Sequence, residues 1–162
     1  MSDEAVYPGS FDPLTLGHLD VVKRAASIFS KVTLAVVDKP ADRSLFATEE
    51  RVAMAKSSVE DIDNVEVASF GGLLVDYVRA HKVHVVIRGI RAYADFEYEF
   101  QMALTNRRIA PEVETLFMMP REETSYVSSS IVREILDAGG DTSMFVPDPV
   151  EAALEELRRR ST

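Results

Sequence analysis

The chain reads as an α/β protein, a doubly wound, five-stranded parallel sheet with helices on both faces. Three features predict this. Strand-like and helix-like runs alternate along the sequence, the order that builds parallel sheets through crossover connections. Val32-Thr33-Leu34-Ala35-Val36-Val37 is almost continuously apolar, as a strand covered on both faces must be. Most of the unusual residues fall in segments that follow strands, where ligands bind in such sheets.

Residues 4–7 form the first strand. Leu19, Val22, Ala26 and Phe29 then recur at helical spacing. The second strand, 32–37, leads into a polar loop over 38–47. Thr48 can cap the next helix, with Glu49 and Glu50 in its first turn. A third strand covers 65–69, a helix 73–81 and a fourth strand 83–87. Residues 95–108 read as a strong helix, with Phe96, Phe100 and Leu104 on one face. Its acids come early and its arginines late, matching the helix dipole. The fifth strand is 115–119, and Ser128 or Ser129 opens another helix. In Asp148-Pro149-Val150-Glu151 an acid caps, proline takes the first helical position and glutamate the third. The loops at the carboxyl ends of the strands are then 8–17, 38–47, 70–72, 88–93 and 120–127.

The 162 residues suit one domain over 1–162, and no repeat or low-complexity tract divides them. There are no cysteines, which removes disulfides, thiolate catalysis and cysteine-based metal sites. No run approaches the roughly 18 apolar residues of a membrane span. The acidic start Met1-Ser2-Asp3-Glu4 lacks a basic-plus-apolar signal, so a cytoplasmic location is expected. The formal charge of −9 argues against nucleic-acid binding, and no membrane partner is expected. Any phosphate site must therefore concentrate its basic groups locally.

Three segments carry chemistry. Tyr7-Pro8-Gly9-Ser10-Phe11-Asp12-Pro13-Leu14-Thr15-Leu16-Gly17-His18 joins a strand to a helix. A phosphate can sit in such a loop, against the unpaired N–H groups and positive end of the helix. Walker spacing and G-x-G-x-x-G are both absent. His18 can donate a hydrogen bond to charge developing at an α-phosphate; its plain alternative is a cap or packing residue. Arg88-Gly89-Ile90-Arg91 can fork phosphate oxygens at a strand end; the alternative is a solvated turn with one ion pair. Ser128-Ser129-Ser130 opens a helix and can form an anion nest, where an ordinary N-cap needs one serine. Other features read as structural. They are His81 with His84, Glu122 with Glu123, an exposed terminal helix carrying Glu151, Glu155, Glu156 and Arg158 to Arg160, and Met118 with Met119 as core or subunit contacts.

Thr15-Leu16-Gly17-His18 is similar to the T-x-G-H signature of the nucleotidyltransferase superfamily. The serine run resembles that superfamily's second signature, which faces the triphosphate. With R-G-I-R-A-Y-A-D-F-E-Y-E-F-Q-M-A-L-T-N-R between them, the chain resembles the phosphopantetheine adenylyltransferase family from Tyr7 to about Pro147. The resemblance implies a Rossmann-like domain, usually a homohexamer, that converts ATP and 4′-phosphopantetheine to dephospho-coenzyme A and pyrophosphate with Mg²⁺. It implies that the catalytic set is His18, Ser10, Arg88 and Arg91. ATP would meet Ser10, Phe11, His18, Gly89, Ile90, Arg91, Glu99, Thr124, Ser125, Tyr126, Val127, Ser128, Ser129 and Ser130. Phosphopantetheine would meet Ser10, Asp42, Arg43, Leu74, Arg88, Met102 and Asn106. The metal ligands are not implied. Feedback binding of coenzyme A follows from the groups it shares with the product. One departure stands out. The family usually has a lysine where this chain has Asp42, so Arg43, or alternatively Lys39, would supply the charge. The alternatives are a weakly active or non-catalytic nucleotide sensor and an adenylyltransferase for another acceptor, such as nicotinate mononucleotide.

Overall fold

A computed structural model describes residues 3–161; Met1 and Ser2 of the acidic start, and Thr162, lie outside the described residues. Its strands are β1 (Glu4–Gly9), β2 (Lys31–Val37), β3 (Val65–Phe70), β4 (Val85–Gly89) and β5 (Glu114–Met118). They form one parallel sheet in the order β3-β2-β1-β4-β5. The chain winds outward from β1 through β2 to β3, then returns to the other side of β1 for β4 and β5. The winding therefore reverses between β1 and β4, and a crevice opens there beyond the strands' carboxyl ends.

The helices are α1 (Leu16–Ala26), α2 (Thr48–Val59), α3 (Leu74–Ala80), α4 (Tyr93–Ile109), α5 (Ser129–Asp137) and α6 (Asp148–Arg160). The alternation of side chains along each strand sorts the core into two layers. Ala5, Tyr7, Val32, Leu34 and Val36 face one layer with Val22, Met54, Val132 and Leu154 of the helices. Val6, Ala35 and Val86 face the other with Val75 and Val78 of α3. Helices thus cover both faces, as the continuous apolar strands require. Among the described residues, no helix is long and apolar enough to cross a membrane.

The boundaries differ from the sequence reading in instructive ways. β4 starts at Val85 rather than 83, which makes Arg88 and Gly89 the last residues of the strand instead of the loop after it. Thr48 lies inside α2; Ala47 is the N-cap, and Glu50 reaches back to accept from its N–H at 2.9 Å. Thr48 instead donates its hydroxyl to Asp38 at 2.7 Å. Asp148 likewise lies inside α6, with Pro147 at the cap. The terminal helix is not wholly exposed. Val150 and Leu154 are buried, and Glu151 binds Arg158 and the buried Thr142 hydroxyl. The largest departure is α4. Phe96, Phe100 and Leu104 do share a face, but they remain 46%, 46% and 48% exposed, and Glu99 is the one buried residue of the helix.

Candidate active site

The crevice at the β1/β4 switch is a cleft of about 710 Å³, within the usual size of small-molecule sites. The loop after β1 forms its floor, the end of β4 one wall, and the start of α5 another. The 38–47 loop, which contains a short 3-10 turn at Ala41–Arg43, forms the rim.

His18 occupies the third position of α1. Its backbone N–H donates to Thr15 Oγ1 at 3.3 Å, capping the helix. In return the Thr15 backbone N–H donates to His18 Nδ1 at 3.0 Å. A backbone N–H can only donate, so Nδ1 must keep a lone pair. The neutral ring therefore carries its proton on Nε2, which has no partner among the described residues. Burial, then the charges of Arg91 and Arg88, push the imidazole pKa down to about 3. The ring is neutral at pH 7 and presents one N–H donor. Phe11 packs its ring edge-on against His18, with centroids 5.0 Å apart, and against Tyr7 at 5.3 Å. Burial likewise raises the Tyr7 hydroxyl above its ordinary range. Gly17 is required by close approach: a Cβ there would come 3.2 Å from the Thr124 carbonyl oxygen. The T-x-G-H spacing thus combines a cap, a gap for a neighbouring loop and a fixed tautomer.

Arg88 and Arg91 are both clamped. Arg88 donates from Nε and Nη2 to the Glu99 carboxylate at 2.7 and 2.5 Å, and from Nη1 to the Pro8 carbonyl at 2.7 Å. Burial opposes its charge, but the bond to Glu99 and that carboxylate's charge outweigh this and raise its pKa. A guanidinium has five N–H donors, so two remain for a ligand. Arg91 binds Asp95 at 3.0 Å and reaches the Val127 carbonyl at 3.3 Å.

The serines divide their work. Ser128 is the N-cap of α5 and accepts from the Ile131 N–H at 3.1 Å. Ser129 donates to the Pro13 carbonyl at 2.8 Å, tying α5 to the β1 loop. Ser130 accepts weakly from Arg133 at 3.3 Å. Only the Ser129 hydroxyl is committed as a donor; Ser128 and Ser130 accept and keep their O–H groups, which with the first-turn N–H groups of α5 and Arg133 can meet an anion.

Of the residues singled out in sequence, Ser10, Phe11, His18, Asp42, Arg43, Arg88, Gly89, Arg91, Glu99, Val127, Ser128, Ser129 and Ser130 line this one cleft. Lys39 lines it as well, so both substitutes for the missing lysine face the same space as Asp42. Ile90, Thr124, Ser125, Tyr126, Leu74, Met102 and Asn106 do not line it. Tyr126 is exposed and stacks edge-on against Phe145; Leu74 lies on α3, and Met102 and Asn106 lie on α4. Sequence reasoning missed Arg133, which faces the cleft one helical turn beyond Ser129 and Ser130. The i, i+3 and i, i+4 spacing from those serines was the available signal. It also missed Arg51, an arginine on the buried stripe of α2 that contains Ala55 and Val59.

The cleft's lining charges balance. Lys39, Arg43, Arg88, Arg91 and Arg133 face Asp12, Asp42, Asp95, Glu99 and Asp137. In a chain of net charge −9, a balanced cleft is a local concentration of cations. Of the lining carboxylates, Asp12 has both oxygens occupied, accepting from the Leu45 and Phe46 N–H groups at 2.7 and 3.0 Å.

The chain also has matches among known families, proteins and structures. The model of the cytidylyltransferase-like family matches residues 6–135. The chain is 52% identical to a phosphopantetheine adenylyltransferase of Thioalkalivibrio sulfidiphilus over 151 residues, 93% of this chain and 95% of that protein. It is 52% identical to the protein of the same name from Methylococcus capsulatus, covering 95% of each. With that from Caldanaerobacter subterraneus it shares 49% identity over 97% of this chain and 98% of the relative. A crystal structure from Vibrio parahaemolyticus, described as a candidate nicotinate-nucleotide adenylyltransferase, superposes with a TM-score of 0.73 at 19% identity. The match covers 100% of this chain and 98% of that one, and at this identity it bears on the fold.

Proposed function

We propose a mechanism from one premise: the chain belongs to the cytidylyltransferase-like family, among its phosphopantetheine adenylyltransferases. It transfers the adenylyl group of ATP to 4′-phosphopantetheine in coenzyme A biosynthesis, forming dephospho-coenzyme A and pyrophosphate. The observation that carries the mechanism is a neutral histidine whose one N–H donor faces a cleft flanked by two clamped arginines.

A phosphate oxygen of 4′-phosphopantetheine is already anionic and needs no general base. It attacks the α-phosphorus in line. A new P–O bond forms, the α–β bridging P–O bond breaks, and its electron pair leaves with pyrophosphate. No covalent enzyme intermediate is required. Holding two mutually repelling polyanions in register can contribute about 7–11 kcal/mol. His18 Nε2–H donates to the α-phosphate as negative charge grows. The two free N–H groups of Arg88 hold the acceptor phosphate. Arg91, the first turn of α5 and Arg133 hold the triphosphate. At the rim, Arg43 offsets Asp42 beside the acceptor, with Lys39 next to it.

Enzymes of this class use a divalent cation, and Mg²⁺ is the proposed one. Among the described residues no three carboxylates or histidines gather into a metal site, and Asp95 and Glu99 are already bound to arginines. Among the described residues, then, none forms a cage for the ion. It would arrive on the triphosphate, as Mg²⁺ commonly does, and no step above is routed through it.

The proposal extends to assembly and control. The chain forms one domain and works in the cytoplasm. The apolar face of α4, continuous with exposed Phe117 of β5, is covered by further copies of this chain in a homohexamer. Coenzyme A binds back in the same cleft because it carries both the nucleotide and the pantetheine arm.

Pyrophosphate release tests the reading, with ATP and Mg²⁺ and with 4′-phosphopantetheine, nicotinate mononucleotide or no acceptor. Release only with 4′-phosphopantetheine is expected. Release with nicotinate mononucleotide instead, or with no acceptor at all, overturns it.

A further inference from the structure

Arg51 is 1% exposed, the largest fully buried side chain among the described residues. Its partners are unusual for a buried cation. Nη1 donates to the Ser10 carbonyl at 2.7 Å and to the Val37 carbonyl at 2.9 Å. Nε donates to the Phe46 carbonyl at 3.1 Å, and Nη2 to Thr48 Oγ1 at 3.0 Å. Arg51 makes no ion pair among the described residues; Thr48, whose hydroxyl accepts from its Nη2, donates in turn to Asp38 at 2.7 Å. Burying a charge without a counter-ion is costly, so the structure retains Arg51 for what its fork holds together.

The fork joins the ends of β1 and β2 to the segment entering α2. One of its bonds has a direct consequence in the cleft. A trans peptide is planar, with its C=O and N–H on opposite sides. Drawing the Ser10 carbonyl inward to Arg51 therefore turns the N–H of the same peptide, that of Phe11, away from Arg51. Phe11 sits at φ +46°, a region that bulky side chains rarely adopt. Its N–H makes no hydrogen bond among the described residues, although the residue is 2% exposed. An unpaired donor beside a phosphate cleft, on a backbone held in an unfavourable conformation, needs something to hold it.

We propose that Arg51 is a positioning residue for adenylyl transfer. It fixes the Ser10–Phe11 peptide so that the Phe11 N–H points into the cleft and donates to a substrate phosphate. It also sets an uncompensated positive charge beneath a cleft whose lining charges otherwise balance. The proposal rests on the transferase reading above for its kinetic test, and on phosphate binding alone for its spectroscopic one.

The test uses the full chain. In protein labelled with ¹⁵N-phenylalanine, eight backbone resonances are expected, and that of Phe11 is assigned by its loss in Phe11→Tyr. A non-hydrolysable ATP analogue should move the Phe11 amide proton downfield in the wild type, and the Arg51→Lys protein should lose most of that shift. Lysine keeps the charge but cannot fork to three carbonyls. Kinetically, Arg51→Lys should lose about 10²-fold in kcat, the scale of one oriented donor, with each KM within about threefold. A Phe11 resonance that ignores the analogue in the wild type overturns the proposal. So does a folded Arg51→Lys enzyme with unchanged kcat and a lower Tm, the mark of a purely structural role. If Arg51→Lys does not fold, Arg51→Gln is read in the same way, and a Phe11 shift equal to that of the wild type overturns the proposal. If the wild type releases no pyrophosphate, the transferase reading fails, and the resonance still decides this one.

Discussion

The floor of the cleft and the outer face of α4 differ in where their partners come from. In the cleft, partners come from elsewhere in the same chain. Arg88 meets Glu99 and Pro8, Arg91 meets Val127, Arg133 meets the Asp12 carbonyl, and Asp12 meets the 45–46 peptides. On α4, Phe96 stacks on Phe100 and meets Phe117 of β5, and Phe96 and Phe100 stay about half exposed among the described residues. One helix serves both regions, sending Glu99 inward to an arginine and its aromatics outward. The difference teaches that one chain gives its cleft arginines partners of its own, while the α4 aromatics pack on one another and on Phe117; Met102 and Asn106, assigned by resemblance to the pantetheine arm, lie on that helix outside the cleft.

The sharpest way to break this comparison is at His18. His18→Ala should lower turnover about 10²- to 10³-fold, the usual loss for one transition-state donor, with ATP affinity within about threefold by calorimetry. Unchanged turnover would end the donor role. Next come the arginines. Arg88→Ala should cost about 10²-fold in kcat/KM for 4′-phosphopantetheine and far less for ATP, because the two N–H groups it leaves unbonded are those assigned to the acceptor phosphate. Arg91→Ala should reverse the preference. Equal losses for both substrates in both variants would erase that division of labour.

A smaller catalytic effect is expected on the α4 side. Leu104→Asp places a charge on the exposed face, and sedimentation should then show species approaching the 18.0 kDa monomer, with the fold intact by circular dichroism. An unchanged assembly would mean that this face is not the contact. The smallest effect is in pH. The folded His18 pKa of about 3 lies below the unfolded value near 6.5. The unfolded chain therefore binds the extra proton first. The contribution to stability is full above pH 6.5 and is lost progressively as pH falls toward 3. Denaturant midpoints at pH 7.5 and 5 should fall more for the wild type than for His18→Gln.

The strand positions and the cleft loops were legible because apolar runs and punctuating residues report burial and turns locally; the order of the strands in the sheet came only with the structure. His18, Arg88, Arg91 and the serine run stood out because their types are costly to keep without a partner. The division among Ser128, Ser129 and Ser130 was not legible. Whether a hydroxyl caps its own helix or binds Pro13 depends on a loop more than a hundred residues away. Arg51 was hidden for the same reason: its acceptors are carbonyls at residues 10, 37 and 46, which carry no side-chain signature. The β4 shift put Arg88 on a strand because pairing with β5, as Arg88 with Phe117, extends the ladder past the apolar run. Phe96, Phe100 and Leu104 do share a face of α4, but their spacing does not say that the face is buried, and the one buried residue of that helix is Glu99.

The central claim is that His18 meets the substrate as a neutral ring with its proton on Nε2. Ring ¹⁵N resonances of His18, followed from pH 7.5 to 4.5 and assigned by loss in His18→Gln, test it most directly. The account predicts a protonated Nε2 and a lone-pair Nδ1 across the whole range. A ring protonated on Nδ1, or an imidazolium forming near pH 6.5, would contradict it.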